Sequence, residues 1–283
     1  MSIIARTDIK KVKKVFHISS NYSAEPAQQV LAIRVGERHC CFAITDISGK
    51  KLYQLAYYSD DAMDDGIFMN LFGNHPELND PFYKVLVGYD HPQSILVPFQ
   101  QYRSEEVPLL MKTIYASNNQ SEIISESLPE WQLYNVYAIP KELNNRMIRK
   151  FPAGRYWHAY TICIRNIVTA DSTGKLWIDF RQDDFILIVA KESKLLLAQT
   201  FSYSTPDDVI YYLLKICQQF LFSQKEVKLI VSGFIEKESA LYKELYRYFL
   251  NFEFRSAEWD VGDGNDYTAH FFTSLNDLVL CAS

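Results

Sequence analysis

Leu31–Ser59, with the sequence LAIRVGERHCCFAITDISGKKLYQLAYYS, decides the fold because the chain repeats it. At an offset of 145 residues it aligns without a gap with Leu176–Ser204, LWIDFRQDDFILIVAKESKLLLAQTFSYS. Seven of the 29 pairs are identical, whereas this kind of composition gives about two at any single offset. The apolar runs coincide as well. The segment therefore predicts a strand–strand–strand unit that occurs twice, in two similar halves that face a shared cleft.

Length and charge divide the chain and exclude one class of partner. A chain of 283 residues can bury two hydrophobic cores. We expect a polar N-terminal arm over 1–28, a first half over 29–172 with an insertion near 100–130, and a second half over 173–283. The net charge of −5 argues against a nucleic-acid-binding protein, because phosphate contacts need clustered basic residues. The one basic cluster, at 10–14, is expected to be a solvated arm or to contact an acidic partner.

Cysteine and histidine usage indicates neither disulfides nor a metal site. The five cysteines contain no C-x-x-C pair and form an odd number, which is typical of reduced, buried thiols. No two of the six histidines are spaced as a metal-binding pair on one element. The sequence lacks an apolar run of about 18 residues and an N-terminal apolar signal. We therefore expect a cytoplasmic protein with no membrane insertion.

Hydrophobic periodicity and turn residues predict the same order of elements in both halves. For the first half, the predicted strands are 30–35, 39–46, 52–58, 83–89 and 131–139, with helices after Asp64, over 104–116, after Pro140 and over 157–170. Residues 118–130 are polar and are predicted as a loop. For the second half, the predicted strands are 175–180, 185–190, 194–203, 227–231 and 252–255, with helices over 205–222, 238–250 and 268–280. Each half is therefore expected to be β-β-β-α-β-α-β-α.

The last helices also correspond, at a different offset. His158-Ala-Tyr-Thr161 aligns with His270-Phe-Phe-Thr273 at an offset of 112. The offset falls from 145 to 112, so the first half holds about 33 additional residues between Tyr89 and Trp157. His158 and His270 are interpreted as structural residues that the duplication produced.

This order of elements resembles the ribonuclease H-like, actin-type ATPase superfamily, an α/β fold in which one unit is duplicated. More closely, VLAIRVGERHCCFAI, TPDDVIYYLL, VKLIVSGFIEKESALYKEL and AHFFTSLNDLVLCAS resemble an uncharacterised bacterial family, a domain of unknown function with a degenerate actin-like fold. The architecture is also similar to that of PilM- and FtsA-type proteins.

The resemblance implies where a nucleotide would bind. Active members of the superfamily hold ATP between the halves on two Asp-x-Gly hairpins and a Gly-Gly element. The corresponding positions here, which are the candidate cleft residues, are Arg34, Gly36, Asp179, Arg181, Ser232 and Gly233. The first hairpin lacks the acid and the second lacks the glycine, so ATP hydrolysis is not expected. The simplest interpretation of both hairpins is an ordinary β-turn with solvated charges.

Two further segments have competing interpretations. Asp90 and His91 follow a buried strand, where α/β proteins place ligands, but a local turn before Pro92 is the commoner meaning of such a pair. Residues 259–266 are acidic and contain glycine, but their register does not fit a calcium loop; they are interpreted as a mobile connection.

The tyrosines of the second half point to a partner. Tyr242 and Tyr246 belong to a set on two helices that covers more of the helix surface than one buried stripe needs. Excess surface tyrosine favours a protein partner or a homodimer face.

The sequence thus favours a non-catalytic binding or scaffold protein on a degenerate actin-like fold, with no catalytic residues, no metal and no cofactor. The alternative is a nucleotide-binding switch that retains ATP or another anion in the cleft between the halves. An enzyme centred on Asp90 and His91 is the third hypothesis.

Overall fold

The structure, a computed structural model, describes residues 13–20, 24–60, 65–116, 120–167, 173–262 and 267–281. The strands are β1 Lys13–Ser19, β2 Gln29–Gly36, β3 His39–Asp46, β4 Leu52–Ser59, β5 Lys84–Asp90, β6 Ser94–Pro98, β7 Ser121–Leu128, β8 Leu133–Pro140, β9 Arg155–His158, β10 Lys175–Phe180, β11 Asp184–Lys191, β12 Lys194–Ser202, β13 Lys228–Gly233 and β14 Asn251–Phe254. The helices are α1 Asp65–Asn74, α2 Val107–Tyr115, α3 Lys141–Lys150, α4 Ala159–Arg165, α5 Pro206–Gln219, α6 Ala240–Tyr248 and α7 Thr273–Leu280.

Two sheets that share the same arrangement of five strands confirm the duplicated fold. The first has the strand order β1-β4-β3-β2-β5-β9, and the second has the order β12-β11-β10-β13-β14. In the first sheet Ile33 lies between Phe42 on an antiparallel strand and Val87 on a parallel strand. Ile178 lies in the same way between Leu187 and Val231. The halves therefore share one register, as a repeat with coinciding apolar positions requires.

The additional residues of the first half form a small sheet of their own. β6, β8 and β7 make a three-stranded antiparallel sheet in that spatial order, inserted between β5 and α3. The helix α2 covers one face through Val107 and Met111. The prediction of a loop over 118–130 is wrong, because β7 occupies most of that segment; residues 117–119 lie outside the described part of the chain.

Two strands of the first sheet differ from the sequence prediction. The strand parallel to β5 is β9, in a stretch that the periodicity predicts as helical from Trp157 onward. The strand predicted at 131–139 is β8, which pairs within the inserted sheet. β9 has only four residues and leads directly into α4, so its periodicity merges with that of the helix. At the opposite edge β1, in the segment predicted as a polar arm, pairs antiparallel with β4. Lys10 and Lys11 lie outside the described residues.

The closing helices of the two halves pack across the molecule. α7, at the end of the second half, contributes Leu275 and Leu278 to a core that contains Ala32 and Ala43 of the first sheet. α4, at the end of the first half, packs Tyr160 and Ile164 against β11 of the second sheet. These apolar contacts fix how the sheets face each other. One core lies wholly within each half, and the two clusters around α7 and α4 join the halves. Within the described residues, no helix is long and apolar enough to cross a membrane.

Candidate functional site

The two hairpins that the sequence identified meet between the halves. One is the β2–β3 turn around Gly36, and the other is the β10–β11 turn around Arg181. Both turns lie at the carboxyl ends of strands that pair in parallel with a neighbour, β5 in the first sheet and β13 in the second. This edge of an α/β sheet is where ligands usually bind.

Equivalent residues of the repeat form ion pairs with each other. The guanidinium Nη1 of Arg34 lies 3.4 Å from the Oδ2 atom of Asp179, and these positions differ by the repeat offset of 145. Arg38 pairs with Asp183, again at a separation of 145. When two repeats face each other, a residue at the centre of their contact lies next to the equivalent residue of the other repeat. The duplicated positions carry opposite charges, so they attract where identical charges would repel.

Asp90, at the end of β5, links the two arginines of the site. Its Oδ2 atom accepts a hydrogen bond from Nη2 of Arg34 at 2.6 Å and lies 3.1 Å from Nε2 of His39. Its Oδ1 atom accepts from Arg181, which also donates to Asp184. The side chain of Asp90 is only 2% exposed. One buried carboxylate thus bridges a hairpin of the first half and a hairpin of the second.

Burial and charge act in opposite directions on the pKa values of these groups. Burial alone would raise the pKa of Asp90, but Arg181 and Arg34 outweigh it and hold that pKa well below its usual range. For His39, burial lowers the pKa despite the hydrogen bond to Asp90. Burial likewise raises the pKa of the neighbouring Cys41 thiol to about 12. At neutral pH the site therefore holds the charged Asp90 carboxylate and its two charged arginines beside a neutral imidazole.

The two glycines serve contacts within the protein. Gly233 has a φ of +85°, and a Cβ atom there would overlap the backbone of Phe180. A Cβ atom at Gly36 would overlap the ring of His39. Both positions therefore need glycine because other parts of the chain approach them closely.

An aromatic cluster fills the side of the cleft that the superfamily resemblance assigns to adenosine. Ser232 donates a hydrogen bond from Oγ to Asp179 at 3.0 Å. Phe234, two residues later, packs its ring 4.7 Å from that of Tyr57 and 5.3 Å from that of Phe16, both in the first half. The second half thus inserts an aromatic side chain against the first sheet, at the position where the resemblance would place the nucleoside.

Little space is left among these side chains. The cavity bounded by Arg34, Asp179, Arg181 and Phe234 has a volume of about 20 Å³, close to the minimum for one water molecule. A larger pocket of about 220 Å³ lies at the hairpin tips and is lined by residues of both hairpins, 37–39 and 181–184. Its charged lining consists of Glu37, Asp90, Asp183 and Asp184 against Arg38 and Arg181, with neutral His39 beside them. Carboxylates outnumber guanidinium groups there, which disfavours a polyphosphate.

The structure brings together all six candidate cleft residues: Arg34, Gly36, Asp179, Arg181, Ser232 and Gly233. The interpretation of the hairpin charges as solvated is wrong for the buried Arg34, Asp179 and Arg181. It holds for Arg38 and Asp183, whose side chains are 54% and 41% exposed.

Sequence reasoning missed Asp90 as the centre of the network. The expected turn is not found at Asp90, which is the last residue of β5. Nor does Asp90 orient His91, as the enzyme hypothesis required, because it pairs with His39, and His91 faces Glu37 at 3.8 Å. His39, Asp184 and Ser274, whose hydroxyl oxygen accepts a hydrogen bond from Arg34, are further site residues that the sequence did not indicate. Only the position of Asp90 after a buried strand could have indicated its role.

Other candidate sites are limited. Among the described residues, no group of three His, Cys, Asp or Glu side chains could hold a metal ion. In the segment predicted as a mobile connection, Asp260 forms backbone hydrogen bonds with Lys50 and Leu52 of the first half, while 263–266 lie outside the described residues. Of the predicted tyrosine face, Tyr246 is exposed, but Tyr242 packs against Phe252 and Phe254.

The duplicated sheets and the facing hairpins define a protein with the actin-like ATPase fold. A protein of unknown function with this fold from Bacteroides thetaiotaomicron superposes with a TM-score of 0.75 at 18% identity, over 90% of this chain and 97% of that one. The PilM-PilN type IV pilus biogenesis complex gives a TM-score of 0.54 at 12% identity, over 90% and 99% of the chains. Residues 19–252 match the family described as "Protein of unknown function (DUF3822)", and the chain belongs to this family. No curated protein matches the sequence.

Proposed function

We propose that this protein is a non-catalytic scaffold, in which side-chain contacts replace a nucleotide between the two halves and the surface binds a protein partner. The observation that carries the proposal is the filled cleft. Arg34, Asp90 and Arg181 occupy the space between the hairpins, and the cavities beside them, of about 20 Å³ next to Phe234 and about 220 Å³ at the hairpin tips, are both smaller than typical ligand pockets of about 300–1,000 Å³.

The composition of the network also supports a structural role. Each guanidinium group faces a carboxylate within the protein, so no anionic ligand is needed to balance its charge. The glycines at 36 and 233 accommodate His39 and Phe180. The groups that would approach phosphates in an active relative thus have other contacts.

A structural neighbour supports a role in assembly. PilM is found in a complex with PilN, and a scaffold of the same fold is expected to present a similar kind of surface. The fold likeness alone carries limited weight for function. The five cysteines are free thiols, which supports the cytoplasmic location expected from the sequence.

The outer face of α2 is the proposed contact surface. Leu109, Leu110 and Ile114 on this helix are 69%, 37% and 51% exposed, although α2 also buries Val107 and Met111. Leu110 and Ile114 lie one helical turn apart, and Leu109 lies on the side opposite to Val107 and Met111. Exposed apolar side chains grouped in this way favour protein contacts. The helix belongs to the insertion, which has no counterpart in the second half.

Nucleotide content tests the non-catalytic part of the proposal. Protein purified gently from its native cell is analysed by native mass spectrometry, and its melting temperature is measured with and without Mg-ATP. We expect no bound nucleotide. A ligand that binds only the folded state raises the melting temperature, so without binding Mg-ATP should shift it by less than about 1 °C. Recovery of stoichiometric ATP or ADP, or a shift of several degrees, contradicts the proposal.

The partner surface is tested with a matched pair of variants. Leu109→Ser/Ile114→Ser is compared with Leu221→Ser, which alters a side chain that is 90% exposed elsewhere on the molecule. Proteins that co-purify with the wild type should be lost with the α2 variant and retained with Leu221→Ser. Identical recovery with all three proteins contradicts the assignment of this surface.

A switch that binds a nucleotide or another anion is the second candidate. The observation in its favour is the 220 Å³ pocket at the hairpin tips, which Arg38 and Arg181 help to line. If this alternative holds, phosphate or ATP raises the melting temperature of the wild type, and Arg181→Ala abolishes the effect.

A further inference from the structure

Asp90 stands where the two hairpins would hold an anionic ligand. Among the described residues it is the carboxylate that contacts both Arg34 and Arg181, using one oxygen atom for each. A carboxylate that bridges two guanidinium groups has the charge and the acceptor geometry of a small oxyanion. His39 adds a third contact to the same group at 3.1 Å.

The other acids of the site do not share this position. Asp179 contacts Arg34 and accepts from Ser232, while Asp184 contacts Arg181. Asp184 also lies at the edge of the ion-pair network, where its side chain is 27% exposed, whereas that of Asp90 is 2% exposed. Only the loss of the Asp90 carboxylate would leave both arginines facing one vacated, buried position.

The internal repeat shows which residue of the second half corresponds to Asp90. At the offset of 144 that relates Lys84 to Lys228, Asp90 corresponds to Phe234. The first half therefore supplies a carboxylate and the second half an aromatic ring at equivalent points of the cleft. Asp90 pairs with the arginines of both hairpins, and Phe234 packs on Tyr57 across the halves, so one side chain occupies the polar part and the other the apolar part of the space between them.

We infer that the Asp90 carboxylate is a built-in substitute for an anionic ligand, which keeps the two hairpins in contact without any bound molecule. The inference rests on the proposed function, since it explains how the halves stay together when no nucleotide binds. It predicts that an external oxyanion binds in the cleft once the internal one is removed.

Asp90→Ala tests this by chemical rescue. Its melting temperature should fall by on the order of 10 °C, because two buried guanidinium groups lose their shared partner. Sodium formate or acetate at about 100 mM should raise the melting temperature of Asp90→Ala by several degrees more than that of the wild type. Sodium chloride at the same ionic strength controls for screening. Asp184→Ala, which leaves Asp90 in place, should show no such rescue.

A second variant covers the case in which Asp90→Ala does not fold. Asp90→Asn keeps the side-chain volume and removes the charge, so it should fold but hold the hairpins less tightly. Amide hydrogen exchange should then accelerate by about tenfold or more in residues 35–39 and 181–184, but not in β7 and β8. Exchange at the wild-type rate, or equal rescue of Asp90→Ala and Asp184→Ala, overturns the inference. Bound nucleotide in the wild type would instead overturn the proposed function.

Discussion

His158 and His270 make the same hydrogen bond in the two halves of the molecule. Nε2 of His158 lies 2.8 Å from the carbonyl oxygen of His91, and Nε2 of His270 lies 2.6 Å from that of Ile235. The histidines are related by the offset of 112 and their acceptors by that of 144, the two offsets of the repeat. Each imidazole ties the start of a closing helix to the segment after a parallel strand. The duplication therefore preserved a structural contact, as the sequence predicted for these histidines.

This contact makes stability depend on pH. Burial lowers the pKa of His158 from 6.5 to about 4, so the unfolded chain binds one more proton than the folded protein between these values. The free energy of unfolding therefore falls as pH drops through this window. Between pH 7 and pH 5 the titration of His158 lowers the free energy of unfolding by about 2 kcal/mol.

Urea unfolding of the wild type and His158→Gln at pH 7 and pH 5 measures that contribution. Between pH 7 and pH 5 the free energy of unfolding should fall by about 2 kcal/mol less in the variant than in the wild type. Glu126, whose pKa burial raises, acts in the opposite direction but is present in both proteins. Equal losses in the two proteins would show that His158 does not titrate as described.

The two repeat-equivalent ion pairs should differ in their effect on stability. Arg34→Ala leaves the buried Asp90 and Asp179 without a shared cation, and we expect a loss of about 3–5 kcal/mol in the free energy of unfolding. Arg38→Ala breaks the exposed pair with Asp183 and should cost less than about 1 kcal/mol. Chemical denaturation of both variants checks the difference. Similar losses would contradict the contrast in burial.

Gly233→Ala should destabilise the protein although it adds a single methyl group. The left-handed backbone and the overlap with Phe180 together are expected to cost about 3 kcal/mol or more. Gly73→Ala is the control, because a Cβ atom there meets nothing within 4 Å and the residue lies in α1. That change should be neutral or stabilising by up to about 1 kcal/mol. Differential scanning fluorimetry distinguishes the two, and equal melting temperatures would contradict the argument.

Phe234→Ala should weaken the contact between the halves. The ring packs against Tyr57 and Phe16 of the first half and against Phe271 and Phe272 of the second. Its removal leaves a cavity at this boundary, and we expect a loss of about 2–4 kcal/mol in the free energy of unfolding. Tyr83→Ala, which truncates a side chain that is 58% exposed, should change it by about 0.5 kcal/mol or less. A similar small effect for Phe234→Ala would contradict the packing described.

Local pattern was sufficient for much of the fold and insufficient for the insertion. The sequence predicted β2 to β5 and all strands of the second half, since their apolar runs are long and bounded by turn residues. It missed β7 because the sequence SEIISESL mixes polar and apolar residues without a regular alternation, since its side chains contact several different elements. Ile123 packs near α2 and Ile124 near the first core, while Glu122 and Glu126 bond to Asn144 and Tyr137. Those partners satisfy the polar side chains, but none of them is adjacent in the sequence.

The sequence by itself determined the duplication and the shared register. These features follow from side-chain alternation and from the offset of 145, which are local or internal properties of the chain. Only the tertiary structure decided that Arg34 pairs with Asp179, that Asp90 bridges both hairpins and that Phe234 packs on Tyr57 across the cleft. The physical reason is that these contacts depend on the angle between the two sheets. That angle is set by the packing of α4 and α7 across the halves, between residues far apart in sequence.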